Sequence, residues 1–296
     1  MIGNRAFWLG IFISAVLLAV FLLVFTDLRT LGEVLKSANY IYVIPATILY
    51  FFAVQFRTMR WGYLLSPLMG KSRRSLFKVV VVGYMANNLI PVRIGELVRS
   101  YYLARREKVS TAGALGTVAV ERAADVITLF VFLAISFYFL PITGVIKDLV
   151  DVIPGGYTVL ITVSLAPVIG LAIVISLLMV VSKDKAMYFI GWGIRVFPAS
   201  VRSKLTGLIE NLIDGFTVIN SFKALGVTLV YSLPVWILEG SMYYLIAMGF
   251  DLRPYFDSHL EFIAAILMFT SIANLAGVLP SSAGSWGPFD FFGAAA

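Results

Sequence analysis

Residues 87–99 combine helix-breaking and charged residue types that could bind an anion. The stretch contains Asn87, Asn88, Pro91, Arg93, Gly95, Glu96 and Arg99. Proline and glycine interrupt a helix and free backbone N–H and C=O groups. Free N–H groups at a helix start, beside arginine side chains, form a cradle that suits a phosphate or carboxylate. If Gly95 begins the next helix, Glu96 and Arg99 share a face and can pair. The residues alone leave open a solvated interfacial turn.

A second charged group, Glu121, Arg122 and Asp125, lies in an otherwise uncharged stretch from 111 to 140. Residues three and four apart share a helix face, so Asp125 lies on the same face as the other two. An unpaired charge at the bilayer centre costs about 2.5–3.5 kcal/mol on insertion scales, so such residues usually face a bundle interior. We predict an intramembrane charge network. The alternative is that the span begins at Ala123 and the three residues mark its cytoplasmic boundary.

A third stretch, LPSSAGSWGPFD at 279–290, mixes hydroxyl, glycine and proline residues. An Ala-Asn pair followed by Pro, and by Gly four residues later, occurs at 86–95 and again at 273–284. Interrupted hydrophobic segments at corresponding places in two halves indicate a midplane site in repeat-built transporters. The pattern predicts helix breaks at Pro91, Gly95, Pro280, Gly284 and Gly287, and a second-site acid at Asp290. Inverted repeats fit this pattern, and a plain loop with an interfacial tryptophan is the competing interpretation.

Composition indicates that most of the chain lies in a membrane. Hydrophobic residues make up 60% and charged residues 13% of 296 positions, with a mean hydropathy of +0.94. Ordinary soluble domains are about 45–50% apolar and about 25% charged. The net charge of +7 fits loops that face anionic headgroups better than a nucleic-acid partner. With no cysteine and one histidine, His259, we expect no disulfide, no metal site and no cofactor.

Apolar runs predict an all-α, polytopic bundle of transmembrane helices. They cover residues 6–26, 40–56, 123–140, 157–182, 224–250 and 262–279, and a short amphipathic segment occupies 28–39. Runs of about 17–25 apolar residues are long enough to span the hydrocarbon core. We treat residues 1–296 as one integral-membrane domain. Because the sequence stops within an apolar segment, we expect further spans beyond Ala296.

The distribution of lysine and arginine predicts the orientation. Both residue types are concentrated in 57–78 and 183–223, so these segments and the amino terminus should face the cytoplasm at the cell membrane. Residues 99–108 are also basic. The apolar segment between 78 and 99 must then enter the membrane and return, and its run before Pro91 is too short to span. We therefore predict a re-entrant or broken helix that lines a protein-walled or wet cavity.

At these three stretches the sequence resembles the flippase-like transmembrane domain of the lysylphosphatidylglycerol synthase family, which also occurs in stand-alone proteins and in fusions with glycosyltransferases. The matching text is NNLIPVRIGELVRSYYL, STAGALGTVAVERAADVITLFVF and GVLPSSAGSWGPFD. The family's motifs map onto Asn88, Pro91, Arg93, Gly95, Glu96, Arg99, Glu121, Arg122, Asp125, Pro280, Gly284, Gly287 and Asp290. The last position is often glutamate in the family, so aspartate here keeps the charge but shortens its reach.

The resemblance implies movement of an anionic or aminoacylated phospholipid, or of a lipid-linked intermediate, between leaflets. Asn88, Arg93, Glu96 and Arg99 would then bind the lipid headgroup. No segment resembles the soluble domain that makes lysylphosphatidylglycerol, and no hydrolase, P-loop or dinucleotide-binding motif occurs, so we do not expect an enzyme. Two rivals stay open. One is a membrane enzyme that transfers an aminoacyl or glycosyl group to a lipid, and the other is a scaffold for a glycosyltransferase or aminoacyl-lipid synthase domain.

Overall fold

The computed structural model describes residues 28–69, 76–89, 95–140, 206 and 222–276, and within these ranges the chain is helical without strands. The helices are α1 (Leu28–Ser37), α2 (Val43–Leu64), α3 (Ser66–Met69), α4 (Leu76–Leu89), α5 (Gly95–Glu107), α6 (Thr111–Phe139), α7 (Phe222–Gly249) and α8 (His259–Ala276). Single 3-10 turns occupy Tyr40–Tyr42 and Arg253–Tyr255. The spans expected at 6–26 and 157–182 lie outside the described residues, as do the predicted helix breaks at 280–287.

Three of the described regions are long and apolar enough to cross a membrane. They are Tyr40–Leu64, Lys223–Gly249 and His259–Ala276. Their lengths of 25, 27 and 18 residues bracket the roughly 20 residues that a bilayer requires. Much of their surface is apolar and exposed, including Ile44, Phe52 and Ile237, as expected for side chains that face lipid. The predicted all-α membrane bundle is therefore confirmed.

Helix α2 departs from the sequence prediction because it does not end at Phe56. It continues without a break to Leu64, and Arg57 and Arg60 are buried within it. Both arginines were predicted to lie in a cytoplasmic loop, and that prediction is wrong. The helix continues because apolar residues from Trp61 onward pack in the core, and because both guanidinium groups meet buried carboxylates.

Among the described helices, α2 and α7 pack against each other most extensively, and they run antiparallel. At one end, the Asn39 N–H donates to the Gly249 carbonyl at 2.7 Å. At the other end, Leu64 packs beside Leu225. Helix α6 lies against both α7 and α8, with Leu129 in contact with the core around Trp236. This arrangement brings the charged residues of α2, α6 and α7 to one shared interior.

Helices α4 and α5 form a short antiparallel hairpin beside the bundle. Helix α4 has 14 residues, about 21 Å at 1.5 Å per residue, which is less than the roughly 30 Å of hydrocarbon. The Asn87 side-chain oxygen accepts a hydrogen bond from the Gly95 N–H at 2.6 Å, so the end of α4 holds the start of α5. Helix α5 begins at Gly95, while Pro91 and Arg93 lie outside the described residues, so the helix break predicted there stays a prediction.

Helix α6 is continuous through the charged group at its centre. It spans 29 residues, and its first turn is capped by Ser110, whose Oγ accepts from the Gly113 N–H at 3.2 Å. Glu121 and Asp125 are both buried. The helix therefore does not begin at Ala123, and these two acids are buried among the described helices.

Candidate anion-binding site

A layer of seven charged side chains crosses the interior of the bundle. Four are arginines and three are carboxylates: Arg57 and Arg60 on α2, Arg99 on α5, Glu121, Arg122 and Asp125 on α6, and Glu239 on α7. All except Arg122 are buried. Buried charges are tolerated only when they are paired and hydrogen-bonded, so the contacts of each residue decide what it can do.

Arg60 is the centre of the layer and is completely buried. Its NH1 donates to Asp125 Oδ1 and to Ser232 Oγ, both at 2.6 Å, and its NH2 lies 3.3 Å from Asp125 Oδ2. Its Nε lies 3.4 Å from Glu121 Oε1. Each nitrogen of the guanidinium therefore has an acceptor, and α2, α6 and α7 are tied together at one point.

Arg99 and Arg57 each combine a carboxylate partner with an aromatic neighbour. Arg99 NH2 pairs with Glu121, and its guanidinium lies 4.6 Å from the ring centroid of Trp61. Arg57 NH2 pairs with Glu239, and its NH1 donates to the Tyr84 hydroxyl at 2.8 Å. A cation over an aromatic face is stabilised by the ring quadrupole, which keeps each arginine charged inside the protein.

Arg122 differs from the other three arginines because its side chain is 40% exposed. Its NH2 lies 3.1 Å from Asp125 Oδ2. Asp125 also accepts from Arg60, and from Trp236 Nε1 at 3.0 Å. Asp125 therefore keeps two other donors if Arg122 moves away.

A small cleft opens beside the layer where the α4–α5 hairpin meets α6. It is lined by Val80, Gly83, Tyr84, Asn87, Gly95, Glu96, Arg99 and Arg122. The Nε atoms of Arg99 and Arg122 are buried and have no hydrogen-bond partner among the described residues. A buried N–H without an acceptor costs about 1–3 kcal/mol, more when charged, so such donors point to a missing acceptor. The cleft is therefore the candidate anion-binding site among the described residues.

Of the four residues predicted to bind the headgroup, only some line the cleft. Arg99 and Glu96 line the cleft, but they do not pair with each other as predicted. Glu96 instead lies 3.4 Å from Asn87 Nδ2, because Arg99 turns to Glu121. Asn88 is exposed at the end of α4, and its neighbour Asn87 lines the cleft instead. Arg93 and Asp290 lie outside the described residues.

The sequence reasoning did not place Arg57, Arg60, Glu239, Ser232, Trp236 and Tyr84 in this layer. One signal was available: Arg57 and Arg60 are three residues apart, and apolar residues continue directly after them, so both lie on one face of an extended helix. Among the described residues, no group of three His, Asp or Glu could hold a metal ion. The pairing partners on α7 are separated from α2 by more than 170 residues, so local spacing could not have identified them.

The fold and this layer define a class, namely polytopic α-helical membrane proteins with a charged interior. The chain belongs to the family described as the lysylphosphatidylglycerol synthase TM region, whose family model matches residues 7–296. The resemblance seen in the sequence is thereby confirmed.

The chain is also similar to several curated proteins of archaea. A UPF0104 membrane protein of Methanothermobacter thermautotrophicus is 28% identical over 272 residues, covering 87% of this chain and 75% of that protein. Glycosyltransferase AglD of Haloferax volcanii is 24% identical over 300 residues, covering 95% of this chain but only 47% of that protein. A UPF0104 membrane protein of Methanocaldococcus jannaschii is 33% identical over 128 residues, 42% of this chain and 38% of that protein. No solved structure matches this chain.

Proposed function

We propose that this chain moves an anionic or aminoacylated phospholipid, or a related lipid-linked intermediate, between the two leaflets of a membrane. The observation that carries the proposal is the pair of buried, unpartnered Nε donors of Arg99 and Arg122 beside the cleft. Four arginines and three carboxylates make up the layer, and Glu96, which lines the cleft, is a fourth carboxylate. A phosphodiester carries one negative charge and offers two acceptor oxygens, so it fits the two Nε donors.

The neighbours of the cleft supply the remaining contacts that a headgroup needs. The Tyr84 oxygen accepts from Arg57, so its own hydrogen is directed elsewhere and can be donated to the phosphate. Glu96 and Asn87 add acceptors for hydroxyl or amine groups of the headgroup. The acyl tails stay in the lipid, and only the polar headgroup passes along the charged layer.

Arg122 is the residue best able to change partners as the headgroup moves. It is partly exposed, and Asp125 retains Arg60 and Trp236 when Arg122 leaves. Arg60 cannot move in this way without leaving two carboxylates underpaired. We therefore assign the first contact with the lipid phosphate to Arg122 and the deeper contact to Arg99.

The location and partners of the protein follow from the same proposal. Arg105, Arg106 and Lys108 are exposed at the end of α5 that lies away from the cleft, and we place this end and the amino terminus in the cytoplasm. The membrane is then the cell membrane. Because the chain matches about half of a protein named glycosyltransferase, we include a glycosyltransferase or aminoacyl-lipid synthase domain as a partner that supplies the lipid.

The proposal is tested by flipping of labelled phosphatidylglycerol in vesicles that contain the purified full chain. Dithionite bleaches label in the outer leaflet, so the protected fraction reports movement between leaflets. Arg122→Gln should slow flipping at least about tenfold, since a charged hydrogen bond contributes about 1.5–3 kcal/mol. Arg105→Gln, an exposed arginine on the neighbouring helix α5, is the matched control and should flip as the wild type does.

Equal flipping by wild type, Arg122→Gln and empty vesicles would overturn the proposal. The rival enzyme is tested by incubating the purified chain with phosphatidylglycerol and activated donors, where a new lipid product would favour transfer chemistry. The rival scaffold is tested by replacing Lys71, Arg73 and Arg74 with glutamine. Loss of a bound glycosyltransferase, with flipping intact, would assign that role to the loop and leave transport in place.

A further inference from the structure

Glu239 has the simplest surroundings of the three carboxylates in the layer. Glu121 contacts two arginines, Arg60 and Arg99, and Asp125 contacts Arg60 and Arg122. Glu239 forms one ion pair among the described residues, with Arg57. A carboxylate shared by two guanidinium groups keeps its charge more firmly than a carboxylate that depends on one. Glu239 is therefore the acid of the layer whose charge is easiest to remove.

Titratable and charged groups face Glu239 from several of the helices packed around it. They are Arg57 and Tyr50 on α2, Tyr84 on α4, Arg122 and Asp125 on α6, and Tyr243 on its own helix α7. Helix α8 contributes the uncharged Asn274 beside Tyr243. Arg57 is thus the sole cation in direct contact with the carboxylate within the described part of the chain.

A chain of contacts joins Glu239 to the cleft. Arg57 NH2 pairs with Glu239, Arg57 NH1 donates to the Tyr84 hydroxyl, and Tyr84 lines the cleft. The Nε of Arg57 is buried and has no acceptor among the described residues. Arg57 also lies against the ring of Trp236, with a centroid distance of 5.1 Å, which holds the guanidinium in place. A charge placed in the cleft therefore acts on Arg57 and Glu239 through contacts that already exist.

We propose that Glu239 binds a proton when a phosphodiester occupies the cleft, so that the proton and the lipid cross together. The inference rests on the proposed function, because it assumes that the cleft takes the headgroup. A proton from water forms an O–H bond on the Glu239 carboxylate. The positive charge of Arg57 is then balanced by the bound phosphodiester through Tyr84. Without that proton, the phosphodiester would add a net negative charge to an interior in which four arginines and four carboxylates, Glu96 included, already balance.

Glu96 is the other acid at the cleft, and its setting differs. It is only partly buried and lies in the first turn of α5, where the helix dipole stabilises a carboxylate. Asn87 Nδ2 also faces it at 3.4 Å. Its hydrogen-bond partner is Asn87, so Glu96 lies outside the chain of contacts that joins Glu239, Arg57 and Tyr84.

Binding in detergent tests the linkage without any transport. The probe is dihexanoyl phosphatidylglycerol, titrated into the purified full chain between pH 5 and 8. If one proton is taken up per lipid bound, affinity should rise up to about tenfold for each unit that the pH falls. Glu239→Gln carries a permanently neutral side chain and should bind at pH 7.5 as tightly as the wild type does at low pH, without pH dependence. Glu33→Gln, an exposed acid on α1, should behave as the wild type does.

A wild type whose affinity does not change with pH would overturn the inference, and so would a Glu239→Gln variant with the wild-type slope. If Glu239→Gln does not fold, Arg57→Gln/Glu239→Gln removes both charges and should bind with no pH dependence. A wild-type slope in that double variant would equally overturn the inference.

Vesicles with an imposed pH gradient separate this inference from the proposed function. Labelled phosphatidylglycerol should move faster from the acidic leaflet to the alkaline leaflet than in reverse, and Glu239→Gln should remove that asymmetry. Flipping that is equal in both directions for the wild type would overturn proton coupling and leave lipid translocation standing. Absence of any flipping would instead overturn the proposed function.

Discussion

Arg60 and Arg122 are both arginines of the same charged layer, yet their surroundings are opposite. Arg60 has no exposed surface, and each of its nitrogen atoms meets an acceptor. Arg122 has a side chain that is 40% exposed, one carboxylate partner and an unpartnered Nε beside the cleft. Arg60 joins three helices, whereas Arg122 has a donor that is free to bind a ligand.

The comparison shows that a buried charge in a membrane protein does not by itself identify a ligand site. Arg60 pairs so fully with Asp125, Glu121 and Ser232 that nothing remains for a substrate. A ligand site requires donors that the protein leaves unsatisfied, because satisfying them contributes to binding. In the described part of the chain, the Nε atoms of Arg57, Arg99 and Arg122 are such donors, and Arg99 and Arg122 line the cleft next to the α4–α5 hairpin.

The largest effect should come from Arg60→Gln. The change leaves Glu121 with one arginine and Asp125 without its two-point contact, and both carboxylates are buried. Removing one partner of a buried ion pair typically costs about 3–5 kcal/mol, so we expect a protein that aggregates or loses its cooperative unfolding transition. The measurement is the free energy of unfolding by SDS titration in mixed micelles.

Arg105→Gln provides the matched control, since exposed charges contribute little to stability. An Arg60→Gln protein as stable as Arg105→Gln would show that Arg60 does not stabilise the fold. The comparison with Arg122 would then have no basis.

The sequence predicted the composition of the site better than its geometry. Apolar runs and the spacing of Glu121, Arg122 and Asp125 predicted the bundle and the interior network, because helix periodicity is a local property. Assigning Arg57 and Arg60 to a loop was wrong because the positive-inside rule counts charges along the sequence and does not include the carboxylates that pair with them in the fold. Those partners lie on α6 and α7, distant in sequence, and only tertiary packing brings them together.

The second prediction concerns a substitution in the α4–α5 hairpin that alters the cleft and leaves the ion pairs of Arg60 intact. A Cβ at Gly95 would collide with the Gly83 carbonyl oxygen and with the Asn87 side chain. Gly95→Ala should therefore push α5 away from α4, with a cost of about 1–3 kcal/mol for overpacking, and should reduce flipping more than stability. Flipping of labelled phosphatidylglycerol and SDS unfolding are measured on the same preparation.

Gly226→Ala is the control for Gly95→Ala, since nothing lies within 4 Å of a Cβ at Gly226. Alanine there should be neutral or slightly stabilising in a helix. If Gly95→Ala flips lipid as fast as Gly226→Ala does, the close approach of α4 and α5 does not shape the cleft.

The smallest effect should come from Trp236→Phe. This change tests whether the ion pairs around Arg60 and the cleft act independently. Phenylalanine keeps an aromatic ring beside Arg57 but removes the indole N–H that donates to Asp125 at 3.0 Å. Asp125 retains Arg60 and Arg122, so the loss should be about 1 kcal/mol of unfolding free energy. Flipping should be unchanged, because Trp236 does not line the cleft. Trp61→Phe, which loses a 3.0 Å hydrogen bond to the neutral Thr117 hydroxyl, should cost less. A Trp236→Phe variant that keeps full stability but slows flipping would place Asp125 in the transport path. The Arg60 ion pairs and the cleft would then not be separate functional regions.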